Sequence, residues 1–245
     1  MNGFLAIFDR EIRAYFLSPM AWVILAFFLF GNGYTFSIIV SYLADPRAGG
    51  VASPLQVFFG SFFYWLVLLF ITPVLTMRLL SEERRSGTLE TLMTAPVTET
   101  QVVLAKYAAA LCFYVFLWLP TLSYVAIIAR GDVDWGPIAS GYLGIFGMGA
   151  MFLSVGLFAS SFTKNQLVAS VMTFALLMVL FTAGFLDGLT TDDTWKSLLG
   201  HMNLLDHMDA FGRGIVDTRH LIYYASTSAL FLFLTVRSLE AKKWR

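Results

Sequence analysis

An all-α, polytopic membrane fold is predicted by three observations. Hydrophobic residues make up 58% of the 245 and charged residues only 13%, where a soluble domain carries about 25% charge. Charge-free runs recur along the chain, the first from 14 to 44, and each approaches or exceeds the about 20 residues that a helix needs to cross the hydrocarbon core. Between them the polar residues come as helix caps and breakers, too few to build a separate domain. The zero net charge exerts no long-range pull on nucleic acid or on an acidic substrate. The single cysteine, Cys112, rules out an internal disulfide.

The elements follow in order. Phe4, Leu5, Phe8, Ile12, Tyr15 and Phe16 recur at helical spacing with Asp9, Arg10 and Arg13 opposite, so 1–18 reads as an amphipathic helix in the membrane interface. Ser18-Pro19 restarts the chain as a cap and a first helical residue. The run after it exceeds the about 7–15 apolar residues of a cleaved leader, so it reads as an anchor. Six spans are expected near 20–43, 57–79, 102–129, 138–162, 166–186 and 220–237. Pro73 and Pro120 should loosen the second and third. Gly141, Gly144, Gly147, Gly149 and Gly156 in the fourth should let other helices approach closely. Only Thr163-Lys164-Asn165 joins the fourth and fifth, making them antiparallel neighbours.

Six spans put both termini on one side. That side collects Arg10, Arg13, Arg78, Arg84, Arg85, Lys106, Lys164, Arg237, Lys242, Lys243 and Arg245; the other collects Arg47, Arg130, Lys196, Arg213 and Arg219. The basic side faces the cytoplasm. On the outer side 187–219 has room for two short helices, one starting at Asp193-Thr194-Trp195 and one at Asn203-Leu204-Leu205-Asp206. Gly212 and Gly214 stop the second, and Asp217 caps the last span.

The stretch 81–101 is the exception to this apolar character. Glu82, Glu83, Arg84 and Arg85 carry the second span out of the membrane, Gly87 interrupts, and Thr88 can cap a new short helix with Glu90 in its first turn. Leu89, Leu92 and Met93 share one face of it, and Pro96 ends it. Thr98-Glu99-Thr100-Gln101 is a capping box, with Val97 and Val102 placed as its hydrophobic staple. The pattern describes an apolar knob ringed by charge, standing between two spans. A merely solvated loop is the plain alternative.

The run Glu82-x-x-x-x-Gly87-Thr88-x-Glu90-x-Leu92-x-x-x-Pro96 resembles the coupling-helix signature of the integral membrane subunits of type-2 ABC exporters. Arg10-Glu11-Ile12-Arg13-Ala14-Tyr15-Phe16-Leu17-Ser18-Pro19 is similar to the branch that includes gliding-motility permeases. So is Phe211-Gly212-Arg213-Gly214-Ile215-Val216-Asp217, with Tyr223-Tyr224 and Arg237-Ser238-Leu239-Glu240 after it. The resemblance implies a bacterial inner-membrane permease that works as a dimer with a second protomer, clamped by two cytoplasmic ABC ATPase subunits that bind the ATP. Glu82, Glu83, Arg84 and Glu90 would then hold polar contacts with the ATPase. Leu89, Leu92 and Met93 would fill its groove, with Gly87, Thr88 and Pro96 setting the helix limits. An accessory membrane protein with an extracytoplasmic domain is also implied. A component that passes ATPase-driven motion to an outer machine, without transport, is the alternative function.

Other chemistry finds little support. No Gly-x-x-x-x-Gly-Lys-[Ser/Thr] phosphate loop occurs, so no ATPase of its own is expected. No ionisable residue is expected at membrane depth, the nearest being Asp187 and Arg219 at span ends, which argues against an ion-driven carrier. His201, His207 and Asp209 match no standard zinc spacing and read as interface or surface residues. Neither HExxH nor GxSxG is present, so a membrane enzyme lacks a visible nucleophile.

Overall fold

The computed structural model describes residues 3–43, 54–88, 97–128, 135–183 and 200–243. Every regular element among them is a helix: α1 Gly3–Leu17, α2 Pro19–Leu43, α3 Pro54–Gly60, α4 Phe62–Thr76, α5 Ser81–Ser86, α6 Glu99–Trp118, α7 Leu122–Ile128, α8 Trp135–Ser160, α9 Gln166–Ala183, α10 Leu204–Gly212 and α11 Thr218–Lys243, with a 3-10 turn at Leu119–Thr121.

Five stretches are long and apolar enough to cross a membrane: Pro19–Tyr42, Phe62–Ser86, Glu99–Ala126, Trp135–Ser160 and Thr218–Ala241. The expected fifth span, 166–186, corresponds to α9, whose 18 described residues rise about 27 Å at 1.5 Å each. Residues 184–186 of the expected span lie outside the described residues, so among the described residues five helices are long and apolar enough to cross, where six are expected. The expected helix at Asp193-Thr194-Trp195 lies outside the described residues.

Two of the spans expected from sequence, 57–79 and 102–129, are interrupted, each for a local reason. In the second, α3 ends at Gly60 and Ser61 begins α4, its hydroxyl accepting from the Tyr64 N–H at 3.3 Å. The same hydroxyl donates to the Phe58 carbonyl (2.8 Å), and the Trp65 indole donates to Phe59 (3.0 Å). The carbonyls freed by the break are thereby satisfied, as a dry interior requires. In the third, Pro120 has no N–H to give, and the helix narrows to the 3-10 turn there. The Thr121 hydroxyl takes up the Trp118 carbonyl at 2.6 Å. Pro73 lies inside α4, which continues to Thr76.

α8 is the axis of the bundle, and its glycines explain why. A Cβ at Gly141 would sit 2.6 Å from the Phe59 ring of α3, one at Gly144 2.7 Å from Phe211 of α10, and one at Gly147 2.9 Å from Tyr224 of α11. At Gly149 it would overlap Tyr114 of α6, and at Gly156 Thr76 of α4. Five glycines thus receive side chains from five different elements. α9 packs along α8 as its antiparallel neighbour, after a turn in which the Asn165 carboxamide caps the Leu167 N–H at 2.9 Å. α2 and α11 are peripheral, with Phe27, Phe30 and Phe233 exposed.

The bundle has two distinct ends. At one, the Ser160 hydroxyl accepts from the Leu80 and Ser81 N–H groups (both 3.1 Å) and donates to the Met77 carbonyl (3.2 Å). Ser161 bonds Ser238 there (3.1 Å). That end gathers α1, residues 77–88, the start of α6, the α8–α9 turn and the end of α11. The opposite end holds α3 and α10 on the start of α8, where the Ser140 hydroxyl donates to the Phe211 carbonyl at 2.6 Å.

Candidate functional site

The expected docking stretch emerges from the first of these ends. α5 has acidic residues in its first turn and basic ones in its last, which suits both ends of the helix dipole. It stops at Gly87, whose φ of +73° is costly for any residue with a Cβ. Leu79, Leu80 and Ser81 beneath it are buried, so the segment is anchored at its base. The Thr88 hydroxyl turns back to the Ser86 hydroxyl at 2.8 Å. Leu89, Glu90, Leu92, Met93 and Pro96 lie outside the described residues. Where the chain is described again, the capping box is complete: the Gln101 N–H reaches the Thr98 hydroxyl (3.3 Å), and the Gln101 side chain accepts from the Thr98 N–H (3.2 Å). Val97 and Val102 join Ile7 and Ala105 in a small apolar cluster.

Four charges close into a ring just inside this stretch. The Arg10 guanidinium meets Glu11 at 2.8 Å and Glu83 at 2.6 Å, and the Lys106 ammonium meets the same two carboxylates at 2.9 and 3.0 Å. Lys106 is 1% exposed, Glu83 12% and Arg10 54%, so the ring is open to solvent only on its arginine side. Burial pushes the Glu11 carboxyl up, but Lys106 and Arg10 outweigh it and hold the group below its ordinary value. An ammonium this deeply buried is tolerable only with such partners. The ring therefore ties α1, α5 and α6 at one point.

α1 is fastened along its whole length. It runs beside α6 in the same direction, from Ile7 near Val102 to Tyr15, stacked on Phe113, and Phe16, edge-on to Phe116, with ring centroids 4.9 Å apart in each pair. Its apolar stripe is thus spent mostly on protein. The Tyr15 hydroxyl donates to the Leu75 carbonyl (2.8 Å), and Arg78 lies over the Tyr15 ring at 4.9 Å while bonding Ser18. Displacing α5 from α1 and α6 would break the Glu83 contacts to Arg10 and Lys106.

Of the residues expected in the site, Glu82, Gly87 and Thr88 are exposed, as contact residues must be. Glu83 instead turns inward to Arg10 and Lys106. Arg84 is half-buried, its Nε and Nη2 without hydrogen-bond partners among the described residues. Sequence reading missed Arg10, Glu11 and Lys106. Lys106, counted from sequence only among the basic residues of one side, stands two turns inside α6 as the one cation of that helix. That isolation was the available signal, because a lone cation among apolar residues demands a carboxylate from elsewhere.

At the opposite end, His207 is not joined to Asp209, which pairs with Arg213 at 2.7 Å. It stacks on His220, ring centroids 3.9 Å apart. Among the described residues no group of three or more His, Cys, Asp or Glu is placed to hold a metal ion.

The chain's geometry is that of a helical membrane bundle with a charge-locked segment leaving one end. No curated protein matches the chain. The model of the ABC-2 family transporter proteins matches residues 18–181, a stretch that includes the interrupted second span, the locked segment and α8, and the chain belongs to that family as a membrane component.

Proposed function

We propose that this chain is the membrane-spanning permease subunit of an ATP-driven exporter, paired with a second protomer and driven by separate cytoplasmic ATPase subunits that dock on 81–97. The ring of Arg10, Glu11, Glu83 and Lys106 carries the reading. A docking element transmits force only if its base is rigid, and here the base is fixed to two helices at once. Closure of the ATPases on ATP would push Leu89, Leu92 and Met93 toward the membrane. α5 would pass that push to α1 and α6, and α6 reaches α8 through Tyr114 on Gly149. The exposed faces of α2 and α11 leave room for the second protomer. Both termini are cytoplasmic in this reading, in a bacterial inner membrane, and the gliding-motility-type branch rests on the stretches at 10–19 and 211–217.

Catalysis of ATP hydrolysis belongs to the partner in this scheme. The purified chain alone is expected to release no phosphate from ATP and to gain turnover only when a cognate ATPase subunit is added. Stoichiometric hydrolysis by the isolated, contaminant-free chain would contradict the reading.

A further inference from the structure

A cavity of about 570 Å³ opens at the end of the bundle opposite the ionic ring, between the start of α11 and α10. Three histidines, His201, His207 and His220, line it together with Asp217, Arg219, Ile222 and Tyr223. It lies at the first turn of a helix apolar enough to cross the membrane, which is headgroup depth. Exposed Ile215, Val216 and Ile222 beside it suit contact with acyl chains.

The lining has a specific chemistry. Asp217 and Arg219 bring opposite charges into one cavity, and neither side chain forms an ion pair among the described residues. One Asp217 oxygen caps the Arg219 N–H at 2.8 Å, leaving the other available. His207 is 2% exposed, and burial together with its neighbour His220 pushes it down to about 4, so it is neutral and one ring nitrogen is an acceptor. Nδ1 of His207 and Nδ1 of His220 are buried without hydrogen-bond partners among the described residues. The wall therefore offers a cation for an anion, and a carboxylate with aromatic acceptors for an N–H-bearing cation.

We propose that this cavity binds the headgroup of a phospholipid bearing a primary amine and a phosphate, the phosphate on Arg219 and the ammonium on Asp217 and the histidine pair. A net-neutral lining does not favour an anionic lipid, whose phosphate would meet Asp217 with nothing to offset it. A quaternary amine has no N–H to give the ring nitrogens.

The test uses the full-length chain, delipidated in detergent and titrated with phosphatidylethanolamine, phosphatidylcholine and phosphatidylglycerol of identical acyl chains, with binding read by native mass spectrometry. Phosphatidylethanolamine should bind about tenfold or more tighter than the other two, the worth of one charge-assisted hydrogen bond. Asp217→Asn keeps the capping oxygen but removes the charge, and should shift the preference toward phosphatidylglycerol. Arg219→Gln should weaken all three. Equal binding of the three lipids overturns the proposal, as does an unchanged preference in Asp217→Asn. If that variant fails to fold, unchanged phosphatidylethanolamine affinity in Arg219→Gln overturns it alone. Displacement of the lipid by soluble phosphoethanolamine at equal concentration would assign the site to a free headgroup and reject the lipid.

Discussion

Lys106→Met is expected to cost the folded chain about 3–5 kcal/mol, the usual penalty for removing one partner of a buried ion pair. The substitution keeps the volume of the stem but leaves Glu11 and Glu83 facing one another, with only Arg10 on the solvent side. The pH dependence should change sign with it. In the parent chain the Glu11 carboxyl is held below its ordinary 4.5, so its contribution is present above that value and is lost as pH falls through the lowered one. Without Lys106, burial and the facing carboxylate raise it, the folded state takes up protons more readily, and acid stabilises the variant. Glu83→Gln placed on Lys106→Met should recover part of the loss, because it removes the uncompensated charge. Thermal unfolding of the detergent-solubilised protein checks each step. A parent-like midpoint for Lys106→Met, or no recovery in the double variant, would remove the ring from the account.

Gly149→Ala is the second large effect. The added Cβ would overlap the ring of Tyr114, a residue 1% exposed whose hydroxyl donates to the Ile145 carbonyl at 3.3 Å. The ring has nowhere to swing, so a loss at the upper end of about 1–3 kcal/mol is expected from overpacking. Gly156→Ala should behave alike, its Cβ falling on Thr76 at the end of α4. Gly60→Ala is the contrast: nothing lies within 4 Å of a Cβ there, and the change should stay within about 0.5 kcal/mol. Melting midpoints of the three variants, taken side by side, check the claim that α8 is the packing axis. Equal midpoints for Gly149→Ala and Gly60→Ala would contradict it.

What was legible in the sequence was chemistry confined to neighbours in the chain. The Thr98–Gln101 box, the Asn203 and Asp217 caps and the stops at Gly87 and Gly214 each need only a few consecutive residues, and each stands as read. The glycine run of the fourth span announced close packing, although not which side chain fills each gap. What could not be read is set by distance along the chain. Glu83 finds Arg10 across 73 residues and Glu11 finds Lys106 across 95, so a side chain expected to face a partner protein is turned inward. The pairing of His207 with His220, rather than with the nearby Asp209, follows from α10 folding back onto α11. The break at Ser61 was missed because an unbroken apolar run reads the same whether one helix or two fill it.

The proposed function requires 88–95 to present an apolar face to an ATPase. Full burial of a leucine contributes about 1.5–3 kcal/mol, and at about 1.4 kcal/mol per decade its loss, with the added cost of desolvating a carboxylate, should weaken the complex at least tenfold. Co-purification of a cognate ATPase with tagged chain in detergent measures this directly. Leu92→Asp should lose the ATPase while inserting into the membrane normally, and Thr94→Ala, on the less apolar side, should keep it. Equal recovery of the ATPase with Leu92→Asp and with the parent chain would contradict the account.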